Sequence, residues 1–214
     1  MWYLQNPNKE MYTWVTAEVF NKEECNRLKE MCTYFNIEAG GTGIREQKGE
    51  SGNNEEMRLS DIAWIDFENI KKDTDPSTKQ EIIKELDALG NIFINVMNDI
   101  NNNFFQYNLT TLEMIQYTKY YGNVKGHYDW HNDHPMFNTP ENNIRKLSIS
   151  LLLSDPDEFT GGNFCIQTHK EPDTIELKQG QAIIFPSPIM HKVSPVESGV
   201  RESLVCWSRG PNWV

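Results

Sequence analysis

Apolar residues recur along this chain with two different periods, and the change from one to the other divides it. Ile82, Leu86, Leu89, Phe93, Val96 and Ile100 follow one another by alternating steps of four and three, the spacing that lines one face of an α-helix. Asp75-Pro76-Ser77 ahead of them is a helix-start signal, so a long amphipathic helix with a buried stripe is expected. Gly90 inside it costs about 1 kcal/mol relative to Ala and is expected to mark a close approach. A shorter helix is expected from Asn21, where Glu24 completes a capping-box pattern and Phe20 and Cys25 are spaced as a hydrophobic staple. Cys25, Leu28, Cys32 and Phe35 then fall on one face and read as core. Residues 11 to 20 alternate roughly and lead into this helix.

Beyond Asn103 the period shortens. Runs from Leu112 to Tyr121, Gly126 to Asp133, Lys146 to Ser154, Asn163 to Thr168, Thr174 to Leu177, Ala182 to Phe185, Ile189 to Val193 and Ser203 to Ser208 are separated by Gly, Pro, Asn and Asp. Short strands at such close intervals read as a jelly roll or related barrel. In the run from Leu147 to Leu153 one face is wholly apolar and the other begins with Ser148 and Ser150, which predicts one face in the core and the other lining a pocket. The stretch from Asn36 to Met57 is rich in Gly, Asn and Glu and reads as a mobile loop, either a lid or a loose connection. Arg58 to Phe67 reads as an ordered return to the core. The expected organisation is one domain over residues 1–214. Residues 1–103 are expected to give mainly helical support and the mobile loop, and residues 104–214 the β core.

The candidate chemistry sits between Tyr117 and Asp133. His127, Asp129, His131 and Asp133 are spaced by two, so on a regular strand all four side chains leave one face. Such a row suits a metal; the competing reading is a solvated edge strand with Tyr128 and Trp130 packed inward. His191, on a late β-like run behind a turn, is the best-placed further ligand. Two histidines and one carboxylate suit a non-haem Fe(II) site, since they leave open coordination positions. Zinc hydrolysis lacks both a His-Glu-x-x-His helix and a general-base partner here. Ten residues after His191 stands Arg201, whose planar guanidinium suits bidentate recognition of a carboxylate inside a pocket.

Charge and composition narrow the partners. The 214 residues carry 20 basic and 31 acidic side chains, a net charge of −11, which disfavours nucleic acid and anionic membranes. No apolar run approaches a membrane span and the start lacks the features of a signal peptide, so a soluble, cytoplasmic protein is expected. Cys25, Cys32, Cys165 and Cys206 show no Cys-x-x-Cys pattern and read as buried free thiols.

Several stretches together resemble the Fe(II)- and 2-oxoglutarate-dependent dioxygenases of the prolyl-4-hydroxylase type, including small bacterial and viral hydroxylases. They are Tyr128-x-x-His131-x-Asp133, the run from Arg145 to Pro156, Gly161-Gly162, Gly180 to Phe185, and Pro186-Ser187-x-x-x-His191-x-Val193-x-Pro195-Val196-x-x-Gly199-x-Arg201 followed by Trp207. The likeness extends from Asn21 through Arg58-Leu59-Ser60 and Trp64, and is dense from Phe104 to Trp213. It implies a mainly β fold with flanking helices: a double-stranded β-helix (jelly roll, cupin-like) core with N-terminal supporting helices. It implies His131, Asp133 and His191 as iron ligands, because an aromatic stands three residues before the family's first ligand. His127 and Asp129 then become neighbours. Arg201 would hold the far carboxylate of 2-oxoglutarate with a tyrosine, for which Tyr121 and Tyr120 compete. Trp207, Tyr128 and Arg145 would border the substrate. The implied reaction hydroxylates a prolyl residue of a peptide or protein, consuming O2 and releasing succinate and CO2, with ascorbate as a reductant. A hydroxylase of another residue or of a small molecule, and a non-catalytic cupin-like binding module, are the alternatives. Because ligand histidines must be neutral, activity is expected to fall below about pH 6.5.

Overall fold

The computed structural model describes residues 12–40, 55–134 and 143–212. Most of the expected loop from Asn36 to Met57 lies outside the described residues, as do residues 135–142, Met11 and Trp213. Strand β1 (Val15–Glu18) leads into helix α1 (Lys22–Cys32), which opens on the expected capping box. The Glu24 N–H donates to Asn21 Oδ1 at 3.0 Å and the Asn21 N–H donates to Glu24 Oε2 at 2.8 Å, satisfying two of the donors a helix start leaves free. The helix buries Cys25, Leu28, Met31 and Cys32, and Phe35 just beyond it is buried as well.

Helix α2 (Pro76–Ile100) starts where Asp75 accepts hydrogen bonds from the Ser77 and Thr78 N–H groups at 3.1 and 3.0 Å. Its buried stripe is Ile82, Leu86, Leu89, Phe93, Met97 and Ile100. Met97 takes the place expected for Val96, which is half-buried; both border the stripe, and the longer unbranched side chain reaches the core from there. Gly90 marks no close approach, since a Cβ built on it meets nothing within 4 Å. The helix ends in a π turn (Asn101–Phe105) closed by Gln106 in the left-handed region. There the Asn101 side chain accepts from Tyr107 N–H at 2.8 Å and donates to Tyr107 O at 2.9 Å.

The remaining strands are β2 (Glu38–Ala39), β3 (Arg58–Leu59), β4 (Asp61–Ile65), β5 (Thr111–Leu112), β6 (Ile115–Tyr121), β7 (His127–His131), β8 (Asn143–Leu152), β9 (Phe159–Gly161), β10 (Phe164–Ile166), β11 (Asp173–Ile175), β12 (Gln181–Pro186), β13 (His191–Val193) and β14 (Val196–Pro211). Each β-like run of the sequence overlaps a strand. β9 was not expected, and β14 begins at Val196, so Arg201 lies inside a strand instead of entering one. Strands β1 to β4 come from the part of the chain expected to be mainly helical.

The larger sheet runs β1–β12–β8–β14–β6–β4–β2, with β5 and β9 also on β14; the smaller runs β11–β10–β13–β7–β3, and all pairs are antiparallel. Strand alternation divides the core in two. Leu147, Ile149 and Leu151 of β8, Ala182 and Ile184 of β12, and Leu204 and Cys206 of β14 join the cluster containing the α1 and α2 stripes. Leu152, Ile183 and Phe185 turn the other way and meet Phe164, Ile166 and Val193 of the smaller sheet. Helices therefore cover one face of the larger sheet, and its other face forms the interior of a two-sheet jelly roll. Gly180 fixes the turn before β12 against the start of α1: its φ is +81°, its carbonyl accepts from Val19 and Phe20 N–H, and a Cβ there would stand 1.8 Å from Phe20 O. No other residue fits that approach.

Because Gly90 faces open space in the middle of α2, Gly90→Ala is expected to stabilise the fold by about 1 kcal/mol and to raise Tm by about 2–4 °C. A thermal melt showing a lower Tm would contradict this reading of the helix.

Candidate metal centre

The candidate ligands are gathered by the pairing of β13 with β7. His191 pairs with His131, but Val193 pairs with Tyr128, so β7 takes three residues where β13 takes two. This irregularity breaks the two-residue alternation of β7. Tyr128 and His131 consequently share the interior, their rings stacked 3.5 Å apart at 12°. The expected row of four does not form. His127 turns its Nδ1 to Lys125 O and its Nε2 to Glu56 O, and Asp129 is exposed. Trp130 lies beneath the Lys192 ammonium at 4.9 Å.

His131, Asp133 and His191 come together, with one potential ligand atom from each inside a 4.8 Å span. Asp133 Oδ1 is 3.9 Å from His131 Nε2, and Oδ2 is 3.5 Å from His191 Nε2. His131 Nδ1 lies 2.7 Å from Asp129 O and His191 Nδ1 lies 2.9 Å from Ile189 O. A carbonyl oxygen only accepts, so each Nδ1 carries the hydrogen and each Nε2 presents its lone pair to the space between the side chains. That is the tautomer a metal needs, and the donor set fits Fe(II). Burial, with His191 beside it, holds the His131 pKa well below its usual 6.5. Burial pushes the Asp133 carboxyl the other way, but the histidines, Arg145 and a hydrogen bond from Ser148 Oγ at 2.7 Å outweigh it and keep the group below the usual carboxylate range. His131 is thus held as neutral imidazole and Asp133 as ionised carboxylate. For His131 the metal-competent form persists below the pH expected from a free histidine.

Arg201 stands on the interior face of β14 and is 2% exposed. Among the described residues its contacts are Ser203 Oγ at 3.3 Å and the Tyr120 ring at 5.8 Å, with no carboxylate paired to it. Burial lowers its pKa, yet a guanidinium stays charged. A buried cation without a counter-ion is costly unless an anion joins it. Gly162, with φ of +62°, makes room for the side chain, since a Cβ there would lie 2.9 Å from Arg201 Cδ. The register pairs Arg201 with Tyr120, which is buried in the interior cluster, whereas Tyr121 points outward toward Lys119 and Asp61. Strand alternation therefore puts Tyr120 beside Arg201. Tyr128 lies between His131, on which it stacks, and Arg58, whose guanidinium sits 4.5 Å from the centre of its ring.

Trp207 closes another side. It pairs with Ser148 across β8 and β14 and is buried, and its Nε1 has no hydrogen-bond partner among the described residues. The Arg145 guanidinium lies 3.9 Å over its ring and Trp64 lies 6.4 Å away. Arg145 is held by Glu113 through Nε at 2.8 Å and Nη2 at 2.7 Å, and Arg209 binds the same carboxylate. Sequence reasoning missed Glu113, which carries no motif, and Gln116, which accepts from Arg58 Nη2 at 3.0 Å. It noted Ser148 only as pocket lining; a serine on a strand otherwise buried on both faces was the available signal.

Comparison with known proteins agrees with this architecture. Residues 115–209 match the family model of the 2OG-Fe(II) oxygenase superfamily. A PKHD-type hydroxylase of Azoarcus sp. (strain BH72) is 31% identical over 123 residues, covering 56% of this chain and 54% of the relative. The chain thus spans about half the length of that curated relative. A Pseudomonas putida prolyl-4-hydroxylase superposes with a TM-score of 0.59 at 20% identity, covering 94% of both chains. A Trichoplax adhaerens prolyl hydroxylase, solved with a hypoxia inducible factor oxygen degradation domain peptide fragment, gives 0.62 at 15% identity, covering 92% of this chain and 83% of that one. The chain has the prolyl-4-hydroxylase type of fold, and the stretch similar to the 2OG-Fe(II) oxygenase superfamily holds His131, Asp133, His191 and Arg201.

Proposed function

We propose that this chain acts as an Fe(II)- and 2-oxoglutarate-dependent dioxygenase that hydroxylates a prolyl residue of a peptide or protein, working as one domain over residues 1–214. The carrying observation is the pairing of two opposite needs in one interior: a His-His-Asp set whose Nε2 lone pairs face one another, and the buried cation of Arg201 with no carboxylate paired to it among the described residues. His131, Asp133 and His191 would hold the metal, and Arg201 with Tyr120 would hold the far carboxylate of 2-oxoglutarate. When bound, metal and cosubstrate supply the O2-dependent oxidation of a C–H bond, with succinate and CO2 as the other products.

The rest falls to the side chains. Arg201 is pre-organised by burial and by Ser203, so the carboxylate meets a cation already in place. Burial of His131 keeps it unprotonated, and no side chain need act as a strong base. Trp207 and Arg145 form a wall where a peptide would lie, and the indole N–H, without a partner among the described residues, is a donor suited to a peptide carbonyl. The prolyl reading draws support from the fold shared with proteins named as prolyl hydroxylases, one of them solved with a peptide. Strands from the N-terminal half enter both sheets, which supports the single-domain reading.

Incubation with Fe(II), 2-oxoglutarate and a panel of proline-containing peptides is expected to release succinate in step with a mass gain of one oxygen on a prolyl residue. Oxygen gained only on other residues would refute the prolyl assignment, and no binding of Fe(II) or 2-oxoglutarate would refute the class. Arg201→Ala is expected to weaken 2-oxoglutarate binding by about 30-fold or more, from the ~2 kcal/mol or more carried by a buried charge pair. Tyr121→Phe should leave that affinity unchanged and Tyr120→Phe should lower it; calorimetric titration giving the reverse order would reassign the tyrosine. For the metal-free chain, His131 binds its proton more weakly when folded than when unfolded. Its contribution is fully present above about pH 6.5 and is lost as the pH falls below that, by at most about 1.4 kcal/mol per pH unit. Urea unfolding at pH 7 and pH 5 should show this loss in the wild type and a shallower one in His131→Gln.

A further inference from the structure

The three candidate ligands are oriented in two different ways. Each histidine uses a main-chain carbonyl two residues back, Asp129 O at 2.7 Å and Ile189 O at 2.9 Å. Those acceptors survive any side-chain change. Among the described residues Asp133 has no such local support. It lies two residues past the end of β7 and is anchored from other strands: its N–H donates to Ser187 O at 2.9 Å, and its Oδ2 accepts from Ser148 Oγ at 2.7 Å. Ser187 Oγ is 3.0 Å from Ser148 Oγ, and both serines are fully buried. A hydroxyl has one proton and an ionised carboxylate can only accept. Ser148 therefore gives its proton to Asp133 and receives that of Ser187, forming a directed chain that ends on the candidate ligand. The Ser187 N–H also donates to Lys146 O at 3.0 Å, which ties this turn to β8 close to Ser148.

We propose that Ser148, backed by Ser187, is a positioning residue that presents the Asp133 carboxylate to the metal. The proposal rests on the metal-centre reading above. Without the hydroxyl, the carboxylate could rotate freely in the empty protein, and binding a metal would have to order it. Partners of this kind, one step removed from the metal, typically carry 10–100-fold in metal affinity.

The test is Mn(II) affinity of the metal-free chain, measured by calorimetry or electron paramagnetic resonance, with thermal melts to check folding. Ser148→Ala is expected to weaken Mn(II) binding about tenfold or more, while Ser148→Thr, which keeps the hydroxyl, stays within about threefold of wild type. Ser154→Ala serves as a control: Ser154 is equally buried and bonded, to Val200 O and Glu202 N–H, but touches no candidate ligand. It should bind Mn(II) as the wild type does. Ser148→Ala binding within twofold of wild type, or Ser154→Ala losing as much as Ser148→Ala, overturns the proposal. If Ser148→Ala does not fold, a folded Ser148→Thr with tenfold weaker binding overturns it, and one with wild-type affinity supports it. Failure of the wild type itself to bind Mn(II) is a different result, which removes the metal centre and this proposal together.

Discussion

The pairing of β13 against β7 is the constraint on which the centre depends. His191 must lie across from His131 for the two imidazoles to converge, and it does so only because β7 takes one residue more than β13 between there and Tyr128. That extra residue moves Tyr128 into the interior as a plate against His131 and sends Asp129 to the surface. Past the end of β7, Asp133 is held by Ser148 and Ser187 from other strands. A straight, regular strand would have aligned four polar groups on one face and assembled no closed set.

A polar interior of this kind is tolerated because the hydrophobic core lies elsewhere. The larger sheet gives one face to α1 and α2, where fully buried Leu, Ile and Phe side chains each contribute about 1.5–3 kcal/mol. The other face is left to carry Arg201, Ser148 and Ser203, with Asp133 against it, groups that would destabilise a core expected to stabilise the whole fold. The smaller sheet completes the enclosure with a second, lesser apolar cluster. Arg201 is the largest local cost, a buried cation whose favourable state is the one with an anion bound. Stability and chemistry are thus assigned to opposite faces of the same strands, with strand alternation as the divider.

Much of this was legible in the chain because the governing rules are local. The capping box at Asn21, the start at Asp75-Pro76 and the apolar stripe of α2 depend on residues a few positions apart, and they appear as expected apart from Met97 replacing Val96. The apolar face of β8 and the serines opposite it were readable for the same reason. Gly90 shows the limit: a glycine inside a helix invites a packing explanation, yet only the surroundings reveal that nothing is there.

The sequence by itself determined the two long helices, most strands of the C-terminal half, and, through its resemblance to a known family, the residues that converge at the centre. Tertiary structure decided which way they face. The extra residue in β7 arises from its pairing with β13, the placement of Tyr120 beside Arg201 from the register with β14, and the hold on Asp133 from a serine fifteen residues away. Glu113 likewise reaches Arg145 and Arg209 only because two strands bring them together. Periodicity records the interactions of a segment with itself, whereas a bulge, a register or a carboxylate's orientation belongs to a pair of segments and is settled when they meet.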